Sequence, residues 1–356
     1  MTGTIVRDAR VPTALLGVGG YLPVRVVDNA EVCERIDSSD AWIRKRSGIR
    51  TRHVAGPGES VVDMAEAASR TAIERAGIDV GGIGAVIVAT ITHPYQTPAA
   101  APELAARLGS TAGAFDLSGA CSGFCQAVAV ADGLVQAGAA EHVLVVGADR
   151  LTDFLDRDER TCAFLFGDGA GAAVVGPSPD GLAGVGPVVW GSDGARRELV
   201  GITPSWLDCR EDPGHRAFVG APAWPVLTMS GLEVYKWAVY EVAGTIRAAL
   251  AAAGVEPAAL DAFVPHQANL RIIDDLVRVL DLPGSVAVAR DVTTVANTSA
   301  ASIPLALDRM ICDGALKPGG LVLQAGFGAG LSYAAQVLRL PVHAHARGPA
   351  GAGAPR

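Results

Sequence analysis

The feature that most restricts the fold is an internal repeat of very long period. Met64–Asp79 and Glu241–Glu256 are both alanine-rich helical patterns stopped by a glycine. Each is followed, after a short acidic turn, by an apolar run: Ala85–Ala89 in one copy, Ala262–Val264 in the other. Gly77 and Gly254 stand 177 positions apart, and the register holds across the whole unit. A second echo sets Phe166-Gly167-Asp168-Gly169-Ala170-Gly171 against Phe327-Gly328-Ala329-Gly330, two glycine-rich turns that run into a final strand. Solenoid units repeat every ~20–50 residues, so this period describes two copies of an α/β half, each ordered helix, strand, helix, strand. Alternating strands and helices imply sheets covered by helices. Val143–Gly147 has the continuous apolar character of a strand buried on both faces. The expected halves are 1–176 and 177–340, with Pro177 to about Pro225 as connection and surface loops. The Ala/Gly/Pro/Arg tail 341–356 has no periodicity and is expected to be disordered and dispensable.

Bulk properties exclude several classes. The chain of 356 residues exceeds the usual single-domain size and is half hydrophobic, enough for an extensive core. A net charge of −8 argues against general nucleic-acid binding, while leaving room for a local basic patch. No apolar run reaches the roughly 18 residues of a membrane span. Met1–Arg10 lacks the charged-then-apolar order of a signal peptide, so a cytoplasmic protein is expected. The six cysteines are scattered without a C-x-x-C pair, which indicates neither a disulfide framework nor a zinc site. Cys121 and Cys125 lie four apart with no histidine nearby to complete a metal set. No metal or cofactor is expected.

Chemistry concentrates at three loop-to-helix junctions. In Asp116-Leu117-Ser118-Gly119-Ala120-Cys121-Ser122-Gly123-Phe124 a short apolar run leads through small residues to a cysteine, and a helical pattern follows from Phe124 to about Ala137. A thiol there faces the positive end of a helix dipole, so its pKa is expected below the free value of about 8.5. Pro265-His266-Gln267 places His266 just after a strand, at the opening of a helix. Thr294-Val295-Ala296-Asn297 places Asn297 before another. Each residue has a plainer use taken alone: inert packing for the cysteine, a core or capping role for His266, an N-cap for Asn297. As a set they supply a thiol, an imidazole and an amide that cannot ionise, the first two being the usual pairing for thiol catalysis.

At these residues the chain resembles the thiolase-superfamily condensing enzymes, specifically the β-ketoacyl-acyl carrier protein synthase III family. The resemblance runs from about Thr13 to Leu340. It is carried by Ser39–Arg50, the Cys121 context, Phe166–Gly171, Pro265–Arg271, Asn297–Ser302 and Gly326–Gly330. It implies a five-layered α-β-α-β-α fold of two pseudo-repeated halves. It also implies decarboxylative condensation of a short acyl-CoA primer with malonyl-acyl carrier protein, starting fatty-acid or polyketide synthesis. By that resemblance Cys121 is the nucleophile, and His266 and Asn297 hold the enolate oxygen. The backbone N–H groups of Cys121 and Ala329 form the oxyanion hole, where one donor is worth about 3 kcal/mol in other acyl-transfer enzymes. Relatives more often carry glycine at position 329, so this donor depends on alanine reaching the required dihedrals. Trp42 and Arg160 match positions that sandwich the adenine of CoA, Arg46 one that contacts its phosphates, and Asn269 one in the tunnel. Thr97 and Phe327 match the acyl pocket. Thr97 falls where some relatives place a phenylalanine that crosses the dimer, which points to branched or longer primers here. Lys236, Arg271 and Arg278 match a patch that docks the acidic carrier protein, and the family is homodimeric.

Two other readings compete. An acyltransferase of the same fold would move the acyl group from Cys121 to an alcohol or amine, but would have no enolate for Asn297 and His266 to stabilise. A non-catalytic partner subunit would have no need of the thiol. The turn Gly167-Asp168-Gly169-Ala170-Gly171 leads into a strand rather than a helix, so a dinucleotide site is excluded.

Overall fold

The computed structural model describes residues 11–205, 208 and 224–340. In chain order the strands are β1 (Thr13–Tyr21), β2 (Val26–Asp28), β3 (Thr51–His53), β4 (Ile83–Ala89), β5 (Gly113–Leu117), β6 (His142–Arg150) and β7 (Asp168–Pro177). They continue as β8 (Val189–Ser192), β9 (Val200–Thr203), β10 (Val226–Met229), β11 (Ala262–Pro265), β12 (Ala287–Val288), β13 (Leu321–Gly328) and β14 (Ser332–Arg339). Two five-stranded sheets dominate, ordered β1-β7-β6-β4-β5 and β12-β11-β13-β14-β8. They correspond strand for strand. In each, three neighbouring strands run parallel (β5, β4 and β6; β12, β11 and β13) and the remaining pairs are antiparallel.

Hydrophobic patterning sets the layers. Along β6, Val143 and Val145 face a central cluster while Leu144 and Val146 face an outer one, and all four are fully buried. The central layer holds the helices Gly123–Gln136 and Ser302–Cys312 between the two sheets. Helices Val61–Ala76 and Ala100–Leu108 cover the outer face of the first sheet, and Val242–Ala253 and Leu270–Val279 that of the second. The result is the expected α-β-α-β-α stack. The two repeated helices end as the pattern requires, with Gly77 at φ 68° and Gly254 at φ 64°, left-handed caps where glycine carries no Cβ penalty.

One sequence expectation needs correction. The segment expected as connection and loops contributes β8 as an edge of the second sheet, paired with β14, and β9 paired with β10. These strands are only four residues each and mix Gly with charge nearby, which masks their pattern. The rest of that connection, 206–207 and 209–223, and the tail 341–356 lie outside the described residues. No described helix is long and apolar enough to cross a membrane.

Candidate active site

Both sheets send a tight turn into the centre of the molecule. β5 ends at Leu117, and a 3-10 turn, Ala120–Ser122, carries Cys121 into the helix Gly123–Gln136. Ala120 has φ 45°, a left-handed conformation uncommon for a non-glycine residue. Ser122 Oγ fixes the turn by donating to the Gly119 carbonyl at 2.8 Å, and it lies 2.8 Å from Ser332 Oγ. Across from it, a Cβ on Gly328 would come within 2.7 Å of Cys121 Cβ and 3.1 Å of its Sγ, so only glycine fits beside the thiol.

The thiol departs from expectation. Burial pushes Cys121 up to about 12, and the nearby Asp149 carboxyl raises it further. Ser299 Oγ, buried without a hydrogen bond of ordinary geometry, pulls both the thiol and Asp149 downward. Asp149 is itself completely buried. Its Oδ1 accepts from Ile91 N at 2.9 Å, Thr92 Oγ1 at 3.0 Å and Thr90 Oγ1 at 3.2 Å, and its Oδ2 from Ala300 N at 3.3 Å. One carboxyl therefore joins the end of β4 to the turn that follows Asn297.

His266 follows β11 directly, but the helix opens four residues later, at Leu270, capped by the Asn269 side chain on Ile272 N. The imidazole is 2 % exposed, and burial alone lowers it to about 3, so it is neutral at physiological pH. Its Nδ1 lies 2.8 Å from Ser302 Oγ, and its ring meets Phe327 edge-on at 5.4 Å between centroids. Asn297 does not cap a long helix either. Its Oδ1 accepts from Ser299 N at 2.9 Å, at the start of the 3-10 turn Ser299–Ala301, and the helix begins only at Ser302. With the oxygen so engaged, the amide Nδ2 is left as the group that can donate to a ligand.

One cavity of about 340 Å³ is lined by Cys121, His266 and Asn297 together, along with Ala329 and Phe327. Ala329 makes none of the backbone hydrogen bonds through its N–H, and its φ is not positive; the unusual dihedral falls on Gly330, at φ 138°. Alanine is thus accommodated at 329 without strain. A second cleft of about 400 Å³ shares Leu165, Met229, Gly231 and Asn269 with the first and leads outward past Trp42, Arg46, Arg160 and Arg271. Arg160 lies over the Trp42 ring at 4.8 Å and Arg46 at 5.8 Å. A flat ligand entering between Trp42 and Arg160 must lift the guanidinium off the ring. Asn269 both caps its helix and lines both cavities.

The remaining residues separate. Thr97 is exposed and lines neither cavity of its own chain. Of the three basic residues, Lys236 is paired with Glu233 at 3.2 Å and Arg278 with Asp275 at 2.5 Å. Arg271 makes no ion pair among the described residues and stands over the Tyr235 ring at 5.5 Å, at the mouth of the outer cleft. Sequence reasoning gave no role to Asp149, Ser299 or Ser302, nor to the wall formed by Ile91, Ile202, Leu227 and Trp237. An acidic residue two positions after the buried run Val143–Gly147 was the available sign of Asp149; the wall has no local signature.

The chain is similar to known proteins over most of its length. The family described as 3-oxoacyl-[acyl-carrier-protein (ACP)] synthase III matches residues 115–194, and its C-terminal part matches 250–340. The chain is 52% identical over 328 residues to a β-ketoacyl-[acyl-carrier-protein] synthase III of Streptomyces glaucescens, covering 92% of this chain and 96% of that one. It is 47% identical to a mycobacterial β-ketoacyl-[acyl-carrier-protein] synthase III of Mycobacterium marinum, over 92% and 95% of the two chains. Among solved structures it resembles the priming β-ketosynthase of the R1128 polyketide pathway, with TM-score 0.90, 48% identity, and 95% and 99% of the two chains covered. The 3-oxoacyl-(acyl carrier protein) synthase III of Pseudomonas aeruginosa gives TM-score 0.83 at 37% identity, over 93% and 98%.

Proposed function

The chain belongs to the 3-oxoacyl-[acyl-carrier-protein] synthase III family, and from that premise we propose that Cys121, His266 and Asn297 carry out decarboxylative condensation of an acyl-CoA primer with malonyl-acyl carrier protein. The observation that carries this is the shared cavity: one thiol and two side chains able to donate hydrogen bonds line a largely apolar space. In the first half-reaction Cys121 Sγ bonds to the primer carbonyl carbon. Because burial holds the thiol protonated, the proton leaves as the sulfur attacks, and CoA departs as the free thiol. The Cys121 and Ala329 N–H groups are apt donors to the tetrahedral oxyanion.

In the second half-reaction malonyl-thioester loses CO2, and the electron pair left behind forms an enolate without any general base. Neutral His266 and Asn297 suit its oxygen, since neither needs to change protonation state. The enolate carbon attacks the acyl-Cys121 carbonyl, the sulfur leaves as thiolate with release of 3-oxoacyl-carrier protein, and uptake of one proton from solvent regenerates the enzyme. Trp42, Arg46 and Arg160 would receive the CoA nucleotide at the outer cleft. Arg271, at the mouth of that cleft and without an ion pair among the described residues, is the strongest candidate contact for the acidic carrier protein.

A further cavity of about 730 Å³ shares Ile91, Ser118 and Ile202 with the reactive one and runs along the loop holding His93, Tyr95 and Gln96. That extra room supports a primer longer or more branched than acetyl. The exposed Tyr95 and Thr97 on the same loop suit coverage by a second copy in a homodimer. Incubating the purified protein with malonyl-acyl carrier protein and acetyl-, isobutyryl- or hexanoyl-CoA tests the proposal. Formation of 3-oxoacyl carrier product, with isobutyryl or hexanoyl at least equal to acetyl, is expected. Strict acetyl preference would remove the primer assignment, and acyl transfer to simple alcohols or amines without condensation would replace the reaction assigned.

A further inference from the structure

The hydrogen bonds around His266 fix more than its position. Ser302 is the first residue of its helix and does not cap it, so its hydroxyl serves no local backbone purpose. It is buried, and it has two neighbours: Gln267 N, which donates to Ser302 Oγ at 3.3 Å, and His266 Nδ1 at 2.8 Å. Gln267 is locked in turn, its Nε2 donating to the Pro265 carbonyl at 2.7 Å and its Oε1 accepting from Val292 N at 3.1 Å. The oxygen thus already accepts a proton from the backbone, while the hydroxyl's own proton has one acceptor among the described residues, Nδ1. If Nδ1 carried a proton instead, the serine proton would be buried without a partner, an arrangement buried polar groups avoid.

We propose that Ser302 is a positioning residue: its hydroxyl donates to His266 Nδ1, holds the ring in the Nε2–H form, and thereby presents an N–H to the cavity beside Asn297. The pseudo-repeat supports this. The position equivalent to His266 at the end of β4 is Ala89, and the first residue of the matching helix is Gly123, whose Cβ would lie 3.0 Å from that of Ala89. The same contact exists in both halves, filled by two inert residues in one and by an imidazole and its hydroxyl partner in the other. This inference deepens the condensing reading, because an Nε2–H can donate to an enolate oxygen whereas a bare Nε2 cannot.

The test reads the tautomer first and needs no substrate. In protein labelled with 15N-histidine, with His266 assigned by its loss in His266→Gln, long-range proton–nitrogen spectra should show Nε2 protonated and Nδ1 bare. In Ser302→Ala the ring should become mixed or reversed. The kcat of condensation should fall by about ten- to a hundredfold, as for a misplaced or wrongly protonated catalytic donor, with KM for malonyl-carrier protein little changed. Ser302→Thr, which keeps the hydroxyl, should recover most of the loss. If the alanine variant does not fold, Ser302→Cys, close in size and a poor donor, takes its place. A protonated Nδ1 in the parent protein, or an Nε2–H form unchanged without the hydroxyl, overturns the proposal. Absence of condensation in the parent would refute the condensing reading while leaving the spectroscopic result standing.

Discussion

The two halves of this molecule are built on one plan and carry different side chains at matching positions. Each sends a 3-10 turn from its sheet toward the other, and each turn opens on a left-handed non-glycine residue, Ala120 at φ 45° and Ser299 at φ 50°. Each turn packs against a glycine of the opposite sheet: a Cβ on Gly326 would strike Ser122 Cα at 2.8 Å, and one on Gly147 would strike the Ala300 carbonyl oxygen at 2.2 Å. Within this matched frame a few positions differ. Cys121 stands where the second half has Ala300, His266 where the first has Ala89, and Gly328 where the first has Asp149. The frame is shared because a crossed pair of turns packs equally well from either side. The halves diverge where one carries a thiol or an imidazole and the other a small residue.

Exchanging features across the pseudo-symmetry tests this division. The largest effect is expected at Gly328, which leaves room for the thiol where Asp149 fills the equivalent space. Gly328→Ala should lower the rate of Cys121 acylation by about a hundredfold or more, since the new Cβ occupies the space an incoming carbonyl needs. Rapid-quench measurement of acyl loading checks it, and near-normal loading would show that the turns are not tightly crossed.

Next comes pH. With Cys121 raised to about 12, its thiolate fraction grows about tenfold per pH unit below that value, so alkylation by iodoacetamide should keep accelerating through pH 10. A plateau near pH 8 would mean that the helix terminus outweighs burial. His266 is lowered to about 3 in the folded chain, below the ordinary histidine value of about 6.5 that it has when unfolded. Between pH 6.5 and 3 the unfolded chain binds a proton there that the folded chain refuses, so this residue makes stability fall as pH falls through that window. Urea titrations of parent and His266→Gln, compared across the window, read that contribution.

The smallest effects lie at the outer cleft. Arg271→Ala should raise KM for the carrier protein by roughly tenfold, while Lys236→Ala and Arg278→Ala, whose charges are already matched by Glu233 and Asp275, should change it by about threefold or less. Equal effects at all three would restore the undivided basic patch expected from sequence.

Much of this was legible in the chain because it is locally encoded. Helix stops at Gly77 and Gly254, the apolar runs of β4, β6 and β11, and the small residues around Cys121 each carry their structure in a few neighbouring letters. The strand β8 was not legible, being short and flanked by glycine and charge. Local sequence shows the helix terminus beside the thiol but not the desolvation that pushes Cys121 upward. The cavity walls come from distant segments, Ile91, Ile202, Leu227 and Trp237 among them. The same applies to the Ser302–His266 and Asp149–Ala300 contacts, which join residues 36 and 151 positions apart.

The division of labour between the halves is tested most directly by separating the two half-reactions in intact-protein mass spectrometry. Parent, Cys121→Ala, His266→Ala and Asn297→Ala proteins are each incubated with acyl-CoA, then with malonyl-acyl carrier protein. The account predicts no adduct on Cys121→Ala, and adducts on His266→Ala and Asn297→Ala that form but are not discharged into 3-oxoacyl product. Acyl loading that survives loss of Cys121, or condensation that survives loss of both His266 and Asn297, would contradict it.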